Sequence, residues 1–83
     1  MDHLITTNTQ LAYTLRKRRK ISGESQSTAA NRSGLLSKTI SLLENQPGKC
    51  RVDTLIKYLS SLNLEIILRN KPTDITVNET EEW

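Results

Sequence analysis

The segment SQSTAANRSGLLSKTISLLEN, residues 25–45, holds the side chains with the clearest chemistry. In its second half, Ile40 and Leu43 fall at the spacing of an inward helix face. Ser37, Lys38, Thr39, Ser41 and Leu42 remain outward: short hydroxyls, one cation and an apolar tip. Such side chains can reach base edges in the major groove of a duplex without filling it. Catalysis has much less to work with. Cys50 is the only cysteine and His3 the only histidine, so no cysteine–histidine pair and no metal set is expected. No glycine-rich phosphate loop precedes a helix, and no pair of carboxylates sits where a cleft is plausible. The chain is expected to be no enzyme and to need no cofactor.

Those outward residues need elements to position them. Thr7 to Gln10 fits a capping box that opens a first helix, with Leu11, Ala12 and Leu15 on its apolar face. RKRRK, residues 16–20, occupies its last turns, and Gly23 is a plausible stop. The basic run suits either a nucleic-acid patch or the solvated end of a helix, and the solvated reading is preferred. Ser25 can cap a short second helix from Gln26 to about Ser33, which Gly34 interrupts. Ser37 can cap a third, from Lys38 to about Asn45. Two short helices around a glycine turn make a helix-turn-helix, with Ala30 small where they approach. The alternative is an ordinary helical hairpin with a solvated face. Pro47-Gly48 breaks the chain, and Lys49 beside it is a candidate phosphate contact. A fourth helix, about Val52 to Leu62, carries the stripe Val52, Leu55, Ile56, Leu59 and Leu62.

The period then changes. In LEIILR, Leu64, Ile66 and Leu68 alternate with Glu65, Ile67 and Arg69, as in a strand. A lone strand leaves its backbone groups unpaired, so two copies are expected to pair theirs across a two-fold axis. The alternative is an extension of the fourth helix. Eighty-three residues bury only a modest core, and with one cysteine no disulfide can form within a monomer, so oligomerisation is the support left. The fold class is therefore mostly α: a small domain of four to five helices with one C-terminal strand paired in a homodimer. Residues 1–70 form the binding and dimerisation domain, and residues 71–83 an acidic tail expected to be disordered.

Charge is divided along the same boundary. The tail carries Asp74, Glu79, Glu81 and Glu82 and no base after Lys71, a charge of −4. The whole chain is +3, which leaves +7 on residues 1–71. A body of that charge favours polyanions, and with no Phe a duplex backbone suits it better than unpaired bases. Trp83, the only tryptophan, stands at the last position of the acidic string, where a partner pocket could take it as an anchor. One lone thiol, no signal-like segment and no membrane-length apolar run predict a soluble cytoplasmic protein.

Residues 25–45 resemble the helix-turn-helix of the XRE/Cro repressor family, and in particular that of the HipB antitoxins. The likeness extends from TQLAYTLRKRRK through NQPG to LSSLNLEIIL and resumes at the final Glu82-Trp83. It implies that Gln26 sits against the DNA backbone and that Ser37, Lys38 and Ser41 read bases, with Thr39 beside them. It further implies palindromic operator DNA as ligand, strand pairing between subunits, and a HipA-type serine/threonine kinase toxin as partner, whether one chain or split. Trp83 then enters a pocket on that toxin. Two positions depart from the family pattern: Ala29 stands where Leu is usual, and Ser33 where a larger apolar residue is. Ala for Leu forgoes about 2 kcal/mol of transfer energy. Two other functions are compatible with the residues: a stand-alone phage-like repressor with an inert tail, or a protein-interaction module without DNA binding.

Overall fold

Thr7 opens the first helix as expected. Its Oγ1 accepts from the Gln10 amide at 3.1 Å, while Gln10 Oε1 accepts from the Thr7 amide at 3.1 Å. The computed structural model describes residues 2–71; Met1 and residues 72–83, with the acidic tail and Trp83, lie outside the described residues. Four α-helices follow in order: α1 (Asn8–Ile21), α2 (Gln26–Ser33), α3 (Ser37–Asn45) and α4 (Val52–Ser61). A single 3-10 turn, Pro47–Lys49, joins α3 to α4. Helix α3 packs against both α1 and α2, and α2 packs against α4. This is the expected helix-turn-helix, α2–turn–α3, held on a scaffold of α1 and α4.

Ser25 caps α2 as read from the sequence, its Oγ accepting from the Thr28 amide at 3.1 Å. Ser37 does not cap α3. Leu36 takes the N-cap position, and no side chain bonds there. Ser37 itself is exposed at the start of α3. Three helices end alike, with a left-handed residue followed by an amide that reaches back five residues. These are Gly23 after α1, Gly34 after α2 and Asn63 after α4. The returning amides are Glu24 to the Arg19 carbonyl, Leu35 to Ala30 and Leu64 to Leu59. The Asn63 turn stops α4, so the segment after it is not a helical extension.

The core comprises Leu15, Ala29, Ala30, Ile40, Leu43, Tyr58, Leu59 and Leu62, with Leu11, Leu35, Cys50, Leu55 and Leu64 packed around it. Ala29 is fully buried despite its size, and the Ser33 hydroxyl donates back to the Ala30 carbonyl at 3.3 Å. The two departures from the family pattern therefore leave α2 intact. The expected α4 stripe needs correction. Val52 and Ile56 are 67% and 47% exposed, and Tyr58 takes the buried place instead. Tyr58 shares a face with Leu55, Leu59 and Leu62, whereas Val52 and Ile56 lie on the flank. Residues 64–71 carry no regular secondary structure in the single chain. A strand needs a partner for its backbone groups, and the described residues offer none.

Gly34 marks the turn on which the motif depends. Its φ is +78°, and an added Cβ would meet only the flexible end of Lys57. The cost of a side chain there is conformational rather than steric. Gly34→Ala should lower unfolding free energy by about 1–2 kcal/mol, and Gly34→Asn by less, as read from urea midpoints.

Candidate nucleic-acid interface

Ser37 and Lys38 begin α3 and are exposed; Thr39 and Ser41 are partly exposed, and Leu42 is 38% exposed. Lys49 is exposed in the 3-10 turn just beyond α3. The side chains of Ser37, Lys38, Thr39 and Lys49 make no hydrogen bond to another described residue. Gln26, first in α2, is half-buried. The structure thus gathers these residues on the helix-turn-helix and the turn after it. The reason is local. Ile40 and Leu43 are both fully buried and turn the opposite face of α3 outward.

The face is set by a buried polar centre that the sequence reading passed over. Glu44, 1% exposed, is the last buried residue of α3. Arg19 meets it with two parallel bonds, Nε to Oε2 at 2.6 Å and Nη2 to Oε1 at 2.9 Å. The Tyr58 hydroxyl donates to Oε2 at 3.1 Å, and Gln26 Nε2 to Oε1 at 3.2 Å. The third guanidinium nitrogen of Arg19, Nη1, donates to the Glu24 carbonyl at 2.7 Å. One carboxylate therefore links all four helices. No buried side-chain polar atom among the described residues lacks a partner.

This corrects the solvated reading of RKRRK. Arg19 is 7% exposed, and its two arginine neighbours are tied as well. Arg16 Nη1 donates to the Glu44 carbonyl at 2.8 Å, and Arg18 Nε to the Leu62 carbonyl at 3.1 Å. Only Lys17 and Lys20 are exposed, Lys17 lying 5.7 Å over the Tyr13 ring. The planar arginine fork suits buried carboxylate and carbonyl partners; an ammonium does not. The run is thus mainly structural, and neither reading from the sequence described it.

Outside this centre, Arg32 holds Glu24 through two bonds of 2.7 and 2.6 Å and also bonds the Ser61 carbonyl. It ties the α1–α2 loop to the end of α4. Of the proposed dimer residues, Leu64 packs on the core. Glu65, Ile66, Ile67, Leu68 and Arg69 are all exposed. Among the described residues no cluster of three or more His, Cys, Asp or Glu side chains could hold a metal ion. No described helix is long and apolar enough to cross a membrane.

No protein-family model matches the chain. It is 34% identical to the antitoxin HipB of Escherichia coli K12 over 82 residues, 95% of this chain and 93% of that protein. Two solved structures are similar in fold and sequence. One is a HipA-HipB-O2-O3 complex, at 35% identity and a TM-score of 0.76, covering 83% of this chain and 97% of that one. The other is a HipB-O4 20mer complex with the same identity, TM-score and coverage.

The centre makes stability depend on pH with a definite sign. Burial alone pushes the Glu44 carboxyl up, but the bonds from Arg19, Gln26 and Tyr58 and the Arg19 charge outweigh it. Glu44 is held below the usual carboxylate range. A depressed value means that its stabilisation is complete above the unfolded glutamate pKa, about 4.3, and is lost as pH falls through the folded value. The thermal midpoint should be flat from neutral pH down to about 5 and fall steeply below about 4. In Glu44→Gln that acid limb should be shallower, with a lower plateau.

Proposed function

The chain belongs to the HipB antitoxin family, and from that premise we propose that it is a cytoplasmic antitoxin and autorepressor. It binds palindromic operator DNA as a homodimer and also binds a HipA-type serine/threonine kinase toxin. The observation that carries the DNA reading is the α2–turn–α3 unit. Its first α3 side chains, Ser37 and Lys38, project from a core clamped by Glu44. Helix α3 enters the major groove N-terminus first, with Ser37, Lys38 and Ser41 at base edges and Thr39 beside them. Gln26 at the start of α2 and Lys49 after α3 grip phosphates on either side. The +7 body draws the duplex, whereas the −4 tail is repelled by it.

One domain of this size reads few bases, so two copies are needed. The exposed alternation from Glu65 to Arg69 supports a strand pair centred on Ile67. Antiparallel pairing in that register sets Glu65 opposite Arg69 twice and Ile66 opposite Leu68, joining opposite charges and apolar faces. The tail supplies the toxin contact. Trp83 is a suitable anchor for a pocket, with Glu81 and Glu82 steering it to a basic surface. Ordering a tail costs entropy, so it supplements a folded interface rather than replacing it.

Each part has its own test. In fluorescence anisotropy on the DNA upstream of the gene, half-site centres should lie about 34–36 Å apart or a multiple of that. Lys38→Ala and Ser41→Ala should each cost about 1–3 kcal/mol of discrimination between operator and random duplex. Lys49→Ala should weaken both duplexes alike and flatten the salt dependence; equal losses for Lys38→Ala would remove it from the bases. Ile67→Asp should sediment as a monomer and lose operator binding together, whereas a dimeric variant would contradict the register. Titration calorimetry of Trp83→Ala against the neighbouring kinase should show a loss of about 2 kcal/mol or more with operator binding intact. Unchanged affinity would make the tail a passenger.

A further inference from the structure

Gln26 has two partners to serve. As the first residue of α2 it lies beside two backbone amides with no bond inside the helix, its own and that of Ser27. The next amide is taken by Ser25 Oγ at 3.1 Å and the one after by the Ser25 carbonyl at 3.0 Å. Its side chain points the other way, into the buried centre. An ionised carboxylate only accepts hydrogen bonds, so the group facing Glu44 must be the amide nitrogen of Gln26, and the 3.2 Å contact fixes which end is inward. That nitrogen carries a second N–H. Gln26 is half-buried rather than sealed in, and one donor of the same NH2 group remains for an anion.

A glutamine on a helix surface is among the side chains with most rotamer freedom to lose on ordering. Glu44 removes that freedom before any ligand arrives. The carboxylate is itself immobile: Arg19 holds both oxygens and Tyr58 one of them. Arg19 also cancels its charge, so the anchor does not repel a phosphate nearby. We propose that Glu44 is a positioning residue for DNA binding: it holds the Gln26 amide in place so that its second N–H meets the backbone phosphate with little ordering cost. The role rests on the DNA reading above and names what sets the geometry of one of its contacts. It also explains why the centre carries Gln26 at all, since Arg19 and Tyr58 already supply three donors to the two carboxylate oxygens.

The test is a double-mutant cycle between Glu44→Gln and Gln26→Ala. Phosphate contacts carry no sequence information, so the probe is a labelled mixed-sequence duplex of about 30 base pairs, followed by anisotropy at fixed salt. Circular dichroism sets a temperature at which every variant is folded. Glu44→Gln should weaken binding about fivefold when Gln26 is present and less than about 1.5-fold in the Gln26→Ala background. Equal losses in both backgrounds would show that Glu44 acts through the fold alone and would overturn the proposal. A Gln26→Ala chain that binds like wild type would also overturn it, by removing Gln26 from the phosphate. Failure of the wild-type chain to bind any duplex would instead overturn the DNA reading beneath it. Should Glu44→Gln not fold, the free wild-type protein decides by NMR. The Gln26 side-chain NH2 should be ordered and protected from exchange relative to that of exposed Gln46; averaging like that of Gln46 would overturn the proposal.

Discussion

A carboxylate with 1% of its surface exposed stays charged only where several donors replace its water, and Glu44 has four, from Arg19, Tyr58 and Gln26. Everything else in the fold is arranged around that requirement. Arg19 must come from the last turns of α1, Gln26 from the start of α2, and Tyr58 from α4, so each helix has one permitted register relative to α3. Hydrophobic packing among Leu15, Ile40, Leu43, Leu59 and Leu62 supplies most of the stabilisation but tolerates sliding. The polar centre does not, because a shift of one residue would leave a buried charge unpaired. A small domain with two alanines and a serine beneath α2 has reason to fix its geometry in this way.

The same centre divides the basic residues into two groups with different tasks. Arg16, Arg18 and Arg19 spend their donors on carbonyls and on Glu44, inside or at the edge of the fold. Arg32 spends its own on Glu24 and the Ser61 carbonyl. Lys38 and Lys49 are exposed and bond to no other described residue. Much of the +7 that suggested a polyanion partner is therefore engaged in structure. These two cations stand at the start of α3 and in the turn beyond it, which is where the proposed function places the duplex.

Much of this was legible in the sequence. The capping box at Thr7, the Ser25 cap, the glycine turn at Gly34 and the break at Pro47 are local chemistry, and each formed where its residues stand. The outward set on α3 followed from the inward pair Ile40 and Leu43. The polar centre was also within reach of periodicity. Arg19 continues the stripe of Ala12 and Leu15, and Glu44 follows Ile40 by one turn. Counting only apolar residues on those faces hid two opposite charges in register with the core. Tyr58 was hidden by Val52 and Ile56, whose apolar character suggested burial that the angle around α4 does not give them. Residues 64–71 show no regular structure in the single chain, and the strand expected there from the alternation of residues 64–69 would need a partner strand for its backbone groups.

The basic residues of the fold divide their labour. In the proposed function the starts of α2 and α3 and the turn after α3 meet DNA, while the arginines of α1 hold the fold. An amide shift map by NMR, taken while a mixed-sequence duplex is titrated into the labelled chain, tests it most directly. The largest changes should cluster at residues 25–28, 36–41 and 46–50 and spare residues 16–21. Changes centred on residues 16–21 with the start of α3 unmoved would contradict it.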